Sequence, residues 1–127
     1  MEKKFEIEIK TTLKVTEEDI DDIMCTALEG GITYWCNKSK VVGEYLGEYG
    51  HEQIARGGKL IIYDMVEDDK YTLTRQDLLE GIKLAIEEGY YKEYGWFNGH
   101  ELDTCNIDAE VADVIVQMAL FGEVVYG

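Results

Sequence analysis

Proline is absent from this chain of 127 residues. With 13 glycines and no proline, the connections read as glycine turns between compact elements, and a proline-rich linker is excluded. Cysteine is scarce. Cys25, Cys36 and Cys105 form no CxxC pair, and an odd count argues against a disulfide framework. Histidine is scarcer still: His51 and His100 lie far from any cysteine at ligand spacing, so zinc has no signature. "DMVEDDK" lacks the alternating acids and glycine of a calcium loop. Neither a metal nor any cofactor is therefore expected. No apolar run approaches membrane-spanning length, and "MEKKFEIEIK" alternates charge with hydrophobe where a signal peptide needs an apolar core. The expectation is a single domain over residues 1–127 that makes no membrane contact and lives in a reducing cytoplasm.

Positive charge is also in short supply. Twelve Lys and Arg face 27 Asp and Glu, for a net charge of −15. Direct binding to nucleic acid is disfavoured by that balance. The acids are unevenly spread: residues 16–30 hold six and no base, and residues 100–127 hold six and no base. Residues 31–63 are nearly neutral, with Lys38, Lys40, Arg56 and Lys59 against Glu44, Glu48 and Glu52.

What is present is a clear alternation of elements. Phe5, Ile7, Ile9, Leu13 and Val15 recur on one side of residues 5–15, the pattern of a half-buried strand. Thr16 reads as a helix N-cap followed by acids in the first turn. Ile20, Ile23, Met24, Ala27 and Leu28 then keep helical spacing until Gly30-Gly31. Residues 32–36 and 38–42 read as a strand bent near Asn37. "KLIIYD" and "KYTLT" read as a hairpin with an acidic turn, although no NG or DG step supports it. Thr74 opens a second helix with Leu78, Leu79, Ile82, Ala85 and Ile86 as its stripe. Asp108 caps a third over 109–120 that is apolar nearly all round, and "GEVVYG" reads as a last edge strand. The order predicted is β-α-β-β-β-α-α-β: an α+β protein with a mostly antiparallel sheet packed by about three helices.

Four groups of residues stand out as candidate sites. In "GGITYWCNK", period-two alternation puts Tyr34 on the side of Ile32 and Cys36 and sends Trp35 to the opposite side. If that side is open, Trp35 can stack on a base; if a helix covers it, both rings are core. "ARGGK" could join it: Arg56, Gly57, Gly58 and Lys59, with Asn37, would converge on a phosphate, although the pattern is neither GxGxxG nor a P-loop. The second group is the acidic surface of Glu17, Glu18, Asp19, Asp21, Asp22, Asp108, Glu110 and Asp113, whose crowded carboxylates could form rows resembling a phosphate backbone. The third is the aromatic cluster Tyr90, Tyr91, Tyr94, Trp96 and Phe97, read as self-packing or a homodimer contact. The fourth, Cys36 or Cys105 with a distant histidine, carries no mark of an activated thiol; no catalytic residue is assigned, and an enzyme is not expected.

The stretches "EEDIDDIMCTALEGGITYWCNK", "VVGEYLGEY", "EQIARGGKL" and "LDTCNIDAEVADVIVQMALFGEVVYG" resemble a group of small hypothetical proteins from phages and prophages of gut Firmicutes. The resemblance covers most of the chain. It implies an accessory protein working inside a bacterial host cell and transfers no catalytic residue. The functional expectation is stoichiometric binding: inhibition of a host defence protein through a nucleic-acid-mimicking acidic surface. The alternatives are sequestration of a small nucleotide by Trp35, Tyr34 and Arg56, or a dimeric structural protein with no ligand.

Overall fold

The computed structural model describes residues 2–127. Its first helix, α1 (Glu17–Thr26), starts where the sequence places it. The Thr16 hydroxyl accepts from the Asp19 N–H at 3.0 Å and the Asp19 carboxylate accepts from the Thr16 N–H at 3.1 Å, a reciprocal capping box. α1 buries Ile20, Ile23 and Met24 and runs on into one wide π turn over Ala27–Gly31. There the glycine does more than stop a helix. A Cβ at Gly31 would lie 2.7 Å from the Ala109 carbonyl oxygen, so its absence lets the turn rest on the start of the last helix.

Three antiparallel strands follow: β1 (Cys36–Val42), β2 (Lys59–Asp64) and β3 (Asp69–Leu73), in spatial order β1-β2-β3. β1 carries an irregularity between Cys36 and Lys38, at the Asn37 bend that the sequence suggested. The β2–β3 hairpin forms without an Asn-Gly step. Asp68 takes the left-handed conformation (φ 53°), and the Asp64 carboxylate holds the turn by accepting from the N–H groups of Val66 and Glu67 at 2.9 and 3.2 Å. A second capping box, Thr74 with Asp77, opens α2 (Arg75–Glu87). The Asp108 carboxylate accepts from the Val111 N–H at 2.9 Å to open α3 (Ala109–Phe121).

α3 is the buried element its composition demanded: Val111 through Met118 are all shielded from solvent. α2 lies directly against it, because a Cβ at Gly81 would fall 2.5 Å from the Ile115 carbonyl oxygen and 2.8 Å from the Ala119 nitrogen. The architecture is α+β, three helices with a small antiparallel sheet.

Two expected strands are not there, and a third starts late. Residues 5–15 take no regular secondary structure and belong to no sheet. Phe5, Ile7 and Ile9 remain 79–88% exposed, and only Leu13 and Val15 reach the core. Residues 32–35 form a tight turn, in which the N–H groups of Trp35 and Cys36 both bond to the Ile32 carbonyl at 3.1 and 2.8 Å, so β1 begins only at Cys36. The C-terminal residues 122–127 also form no strand. The order is therefore α-β-β-β-α-α, because alternation records which side chains seek burial and does not supply a strand with a partner.

Candidate functional site

The turn at 32–35 reverses the expected roles of its two aromatics. A strand would have buried Tyr34 and turned Trp35 outward; in a turn the side chains no longer alternate. Trp35 is completely buried beside Ile32 and Cys36, and Tyr34 is 48% exposed. α3 and the C-terminal tail cover the indole. It stacks on the Tyr126 ring at 5.4 Å between centroids and meets Phe121 at 5.8 Å. No face of Trp35 is open to a base.

The polar atoms of that turn converge on one carboxylate. Trp35 Nε1 donates to Asp113 Oδ1 at 2.8 Å, and the Tyr34 hydroxyl donates to Asp113 Oδ2 at 2.5 Å. Gln117, one helical turn later on α3, donates from Nε2 to Asp113 Oδ1 at 2.8 Å. Its Oε1 accepts from the N–H groups of both Val125 and Tyr126, at 2.7 and 2.8 Å, and its Nε2 also lies 3.1 Å from the Tyr126 carbonyl oxygen. The tail thus pairs with one carboxamide as it would with a strand. Tyr126 then reaches across and donates its hydroxyl to Asp64 Oδ2 at 2.6 Å. Among the described residues, no buried side-chain nitrogen or oxygen is left without a partner.

These contacts shift both phenols up and the Asp64 carboxyl down. Burial, with hydrogen bonding to Asp113, pushes the Tyr34 phenol up to about 12. The Asp64 hydrogen bond and burial raise the Tyr126 phenol as well. Burial alone would raise the Asp64 carboxyl, but donation from Tyr126, Glu67 and Val66 outweighs it and holds the group below the ordinary carboxylate range. Burial raises Cys36, and Cys25 is raised by burial and by Glu29, so neither thiol is activated. A shallow cleft of about 390 Å³ opens beside the cluster, lined in part by Tyr34, Tyr90, Glu110, Asp113 and Tyr126.

The phosphate site imagined at "ARGGK" does not assemble. Arg56 is tied down within its own neighbourhood: Nη1 lies 3.3 Å from Asp21 Oδ1 and donates to the Glu52 carbonyl at 2.9 Å, and Nη2 lies 3.4 Å from Glu52 Oε2. Gly57 serves a left-handed turn (φ 87°), and Gly58 makes room for the buried Gln53, whose amide would stand 2.4 Å from a Cβ there. Gln53 in turn ties the 44–46 loop, donating to the Glu44 carbonyl and accepting from the Leu46 N–H. Asn37 and Lys59 are exposed on β1 and β2, and Asn37 lines a small open groove that Arg56 does not reach.

Several of the acidic candidates also have local work. Asp19 and Asp108 cap helices, Asp21 pairs with Arg56, Asp22 accepts from the Thr104 hydroxyl at 2.9 Å, and Asp113 is buried in the cluster described above. Glu17, Glu18, Asp22 and Glu110 remain exposed. The aromatic cluster packs on itself. Trp96 is fully buried, Tyr91 meets Trp96 and Phe97 edge-on at 6.3 and 5.2 Å, and Tyr90 and Tyr94 face solvent.

Sequence reasoning missed a charge pattern that only the sheet register reveals. Cys36, Leu60, Ile62, Asp64 and Leu73 mark the inner side of the sheet. The outer side then carries Lys38, Lys40 and Val42 from β1, Lys59, Ile61 and Tyr63 from β2, and Lys70 and Thr72 from β3. It holds four lysines and no carboxylate, with Lys38 Nζ 5.1 Å from the centre of the Tyr63 ring. α1 and α3 hold no base at all. Lysines thus gather on the outer side of the sheet while α1 carries only acids, and α2 is mixed, with Arg75 and Lys83 among its acids.

No family model, curated protein or solved structure matches this chain. Among the described residues, no group of His, Cys, Asp and Glu is arranged to hold a metal ion, and no helix is long and apolar enough to cross a membrane.

Proposed function

We propose that this chain is a stoichiometric binding protein whose acidic helical layer occupies the basic, nucleic-acid-binding groove of a protein partner. The observation that supports the reading is the contrast between the base-free helices α1 and α3 and the carboxylate-free lysine side of the sheet. Such a molecule is repelled by nucleic acid as a whole yet presents a concentrated negative surface to a basic protein, with its orientation set by the lysine side. The resemblance to phage proteins suggests a host defence protein as that partner. The polar cluster around Asp113 supports the same reading from the other direction: the Tyr34 and Tyr126 phenols are raised, Asp64 is lowered, and the groups hydrogen-bond one another, which suits a rigid scaffold better than proton transfer.

The carboxylates that carry the proposal are the exposed Glu17, Glu18, Asp22 and Glu110. The capping, ion-paired and buried acids are excluded, since changing them would unsettle the fold; Asp22 is kept because Asn leaves an acceptor for its one partner, the Thr104 hydroxyl. Replacing the four by Gln or Asn is expected to slow association with a basic nucleic-acid-binding host protein by about tenfold and to flatten its salt dependence. The wild-type protein should also compete with DNA or RNA for that partner. An unchanged association rate, or simultaneous binding of nucleic acid and this protein, overturns the proposal.

A further inference from the structure

Residues 2–12 are the strand-patterned segment without a strand partner. Phe5, Ile7 and Ile9 are 79–88% exposed, and Glu6 and Glu8 alternate with them along the sequence. The segment is held at its far end, where the Thr11 hydroxyl donates to the Gly99 carbonyl at 3.1 Å and Leu13 and Val15 enter the core. The same molecule has an edge strand without an outer neighbour: β1 pairs with β2 on one side only. An exposed row of backbone donors and acceptors is a template for strand addition.

We propose that the N-terminal segment of one copy adds antiparallel to the β1 edge of a second copy, with the exchange reciprocated, so that two chains form a dimer with a fourth strand on each sheet. Charge complementarity selects the register. Glu6 and Glu8 stand two residues apart, as do Lys40 and Lys38 on the outer side of β1. Pairing Glu6 with Lys40 and Glu8 with Lys38 sets both carboxylates against the lysine side, a favourable cross-strand arrangement. The same register places Phe5 opposite Val41 and Ile7 opposite Ser39, on the helix-covered side. There a small groove of about 210 Å³ runs along β1 between Leu28, Ile32, Cys36 and Ser39, with room for an aliphatic side chain. One alignment therefore serves Phe5, Ile7, the lysines and the open edge together. A twofold relation between the copies makes both exchanges equivalent and closes the assembly.

Sedimentation of the full chain tests this. The wild-type protein is expected to run as a dimer, and Ile7→Asp to run as a monomer with an unchanged helical circular dichroism signal. Reversing Lys38 and Lys40 to Glu is expected to raise the dimer dissociation constant by about tenfold or more, and adding Glu6→Lys and Glu8→Lys to that variant is expected to restore it. A wild-type monomer overturns the proposal, as does a dimer indifferent to Ile7→Asp or a charge swap without rescue. Introducing cysteines at Ile7 and Ser39 locates the pairing. A disulfide between chains supports the exchange, and a disulfide within one chain overturns it by showing that the segment closes on its own sheet.

Discussion

The two ends of the chain make an instructive pair. Both carry alternating, strand-like hydrophobicity, and neither forms a strand. The C-terminal end is nonetheless fixed. Gln117 supplies the backbone hydrogen bonds a neighbouring strand would have given, Asp64 receives the Tyr126 hydroxyl, and the Tyr126 ring covers Trp35. The N-terminal end has one side-chain hydrogen bond at Thr11, and beyond it Phe5, Ile7 and Ile9 stay 79–88% exposed. Order at a chain end thus follows from partners placed elsewhere in the fold, and local propensity alone does not bring it about.

The comparison can be broken most sharply at its best-packed point. Trp35→Ala removes the ring that joins the 32–35 turn, α3 and the tail, and a cost of about 4 kcal/mol is expected in chemical denaturation. Asp113→Ala leaves the Trp35 indole N–H, the Tyr34 hydroxyl and the Gln117 amide without their common acceptor. A loss of about 3 kcal/mol is expected, measured the same way. Acid provides a gentler probe. Because the folded Asp64 carboxyl is held below its ordinary range, it contributes stability that is fully present above the unfolded value, about pH 4, and is lost as pH falls through the folded value. Asp64→Asn is expected to be less stable at neutral pH and to lose less on acidification, as followed by thermal melts across that window. The smallest effect belongs to the other end: deleting residues 2–10 is expected to change monomer stability by no more than about 0.5 kcal/mol. A larger loss would show that the segment is already part of the folded core.

The parts of the fold that were legible in the sequence are those set by local rules. Thr16, Thr74 and Asp108 announced their helices because a cap is decided within four residues. The hairpin was readable from its two apolar runs, and the burial of α3 from a helix with almost no polar side. The strand at residues 5–15 was misread because the same alternation suits a strand awaiting a partner. The turn at 32–35 was misread because β-branched and aromatic residues suggested a strand, while the contact that decides the matter lies 78 residues away, between Trp35 and Asp113. Asp113 and Gln117 looked like the polar remnant of an apolar helix; only their i, i+4 spacing hinted that they face one way together. The role of Arg56 failed for a related reason. A guanidinium beside two glycines resembles an anion site until Asp21 arrives from another helix to occupy it.

The burial of both tryptophans has a practical consequence. Trp35 and Trp96 are each sealed from solvent in different neighbourhoods, one beneath the C-terminal tail and the other beneath Tyr91. The molecule therefore carries two intrinsic optical reporters with different ring neighbours. With Trp96→Phe, the remaining fluorescence follows release of the tail; with Trp35→Phe, it follows the aromatic loop. Their difference distinguishes local opening from collapse of the whole.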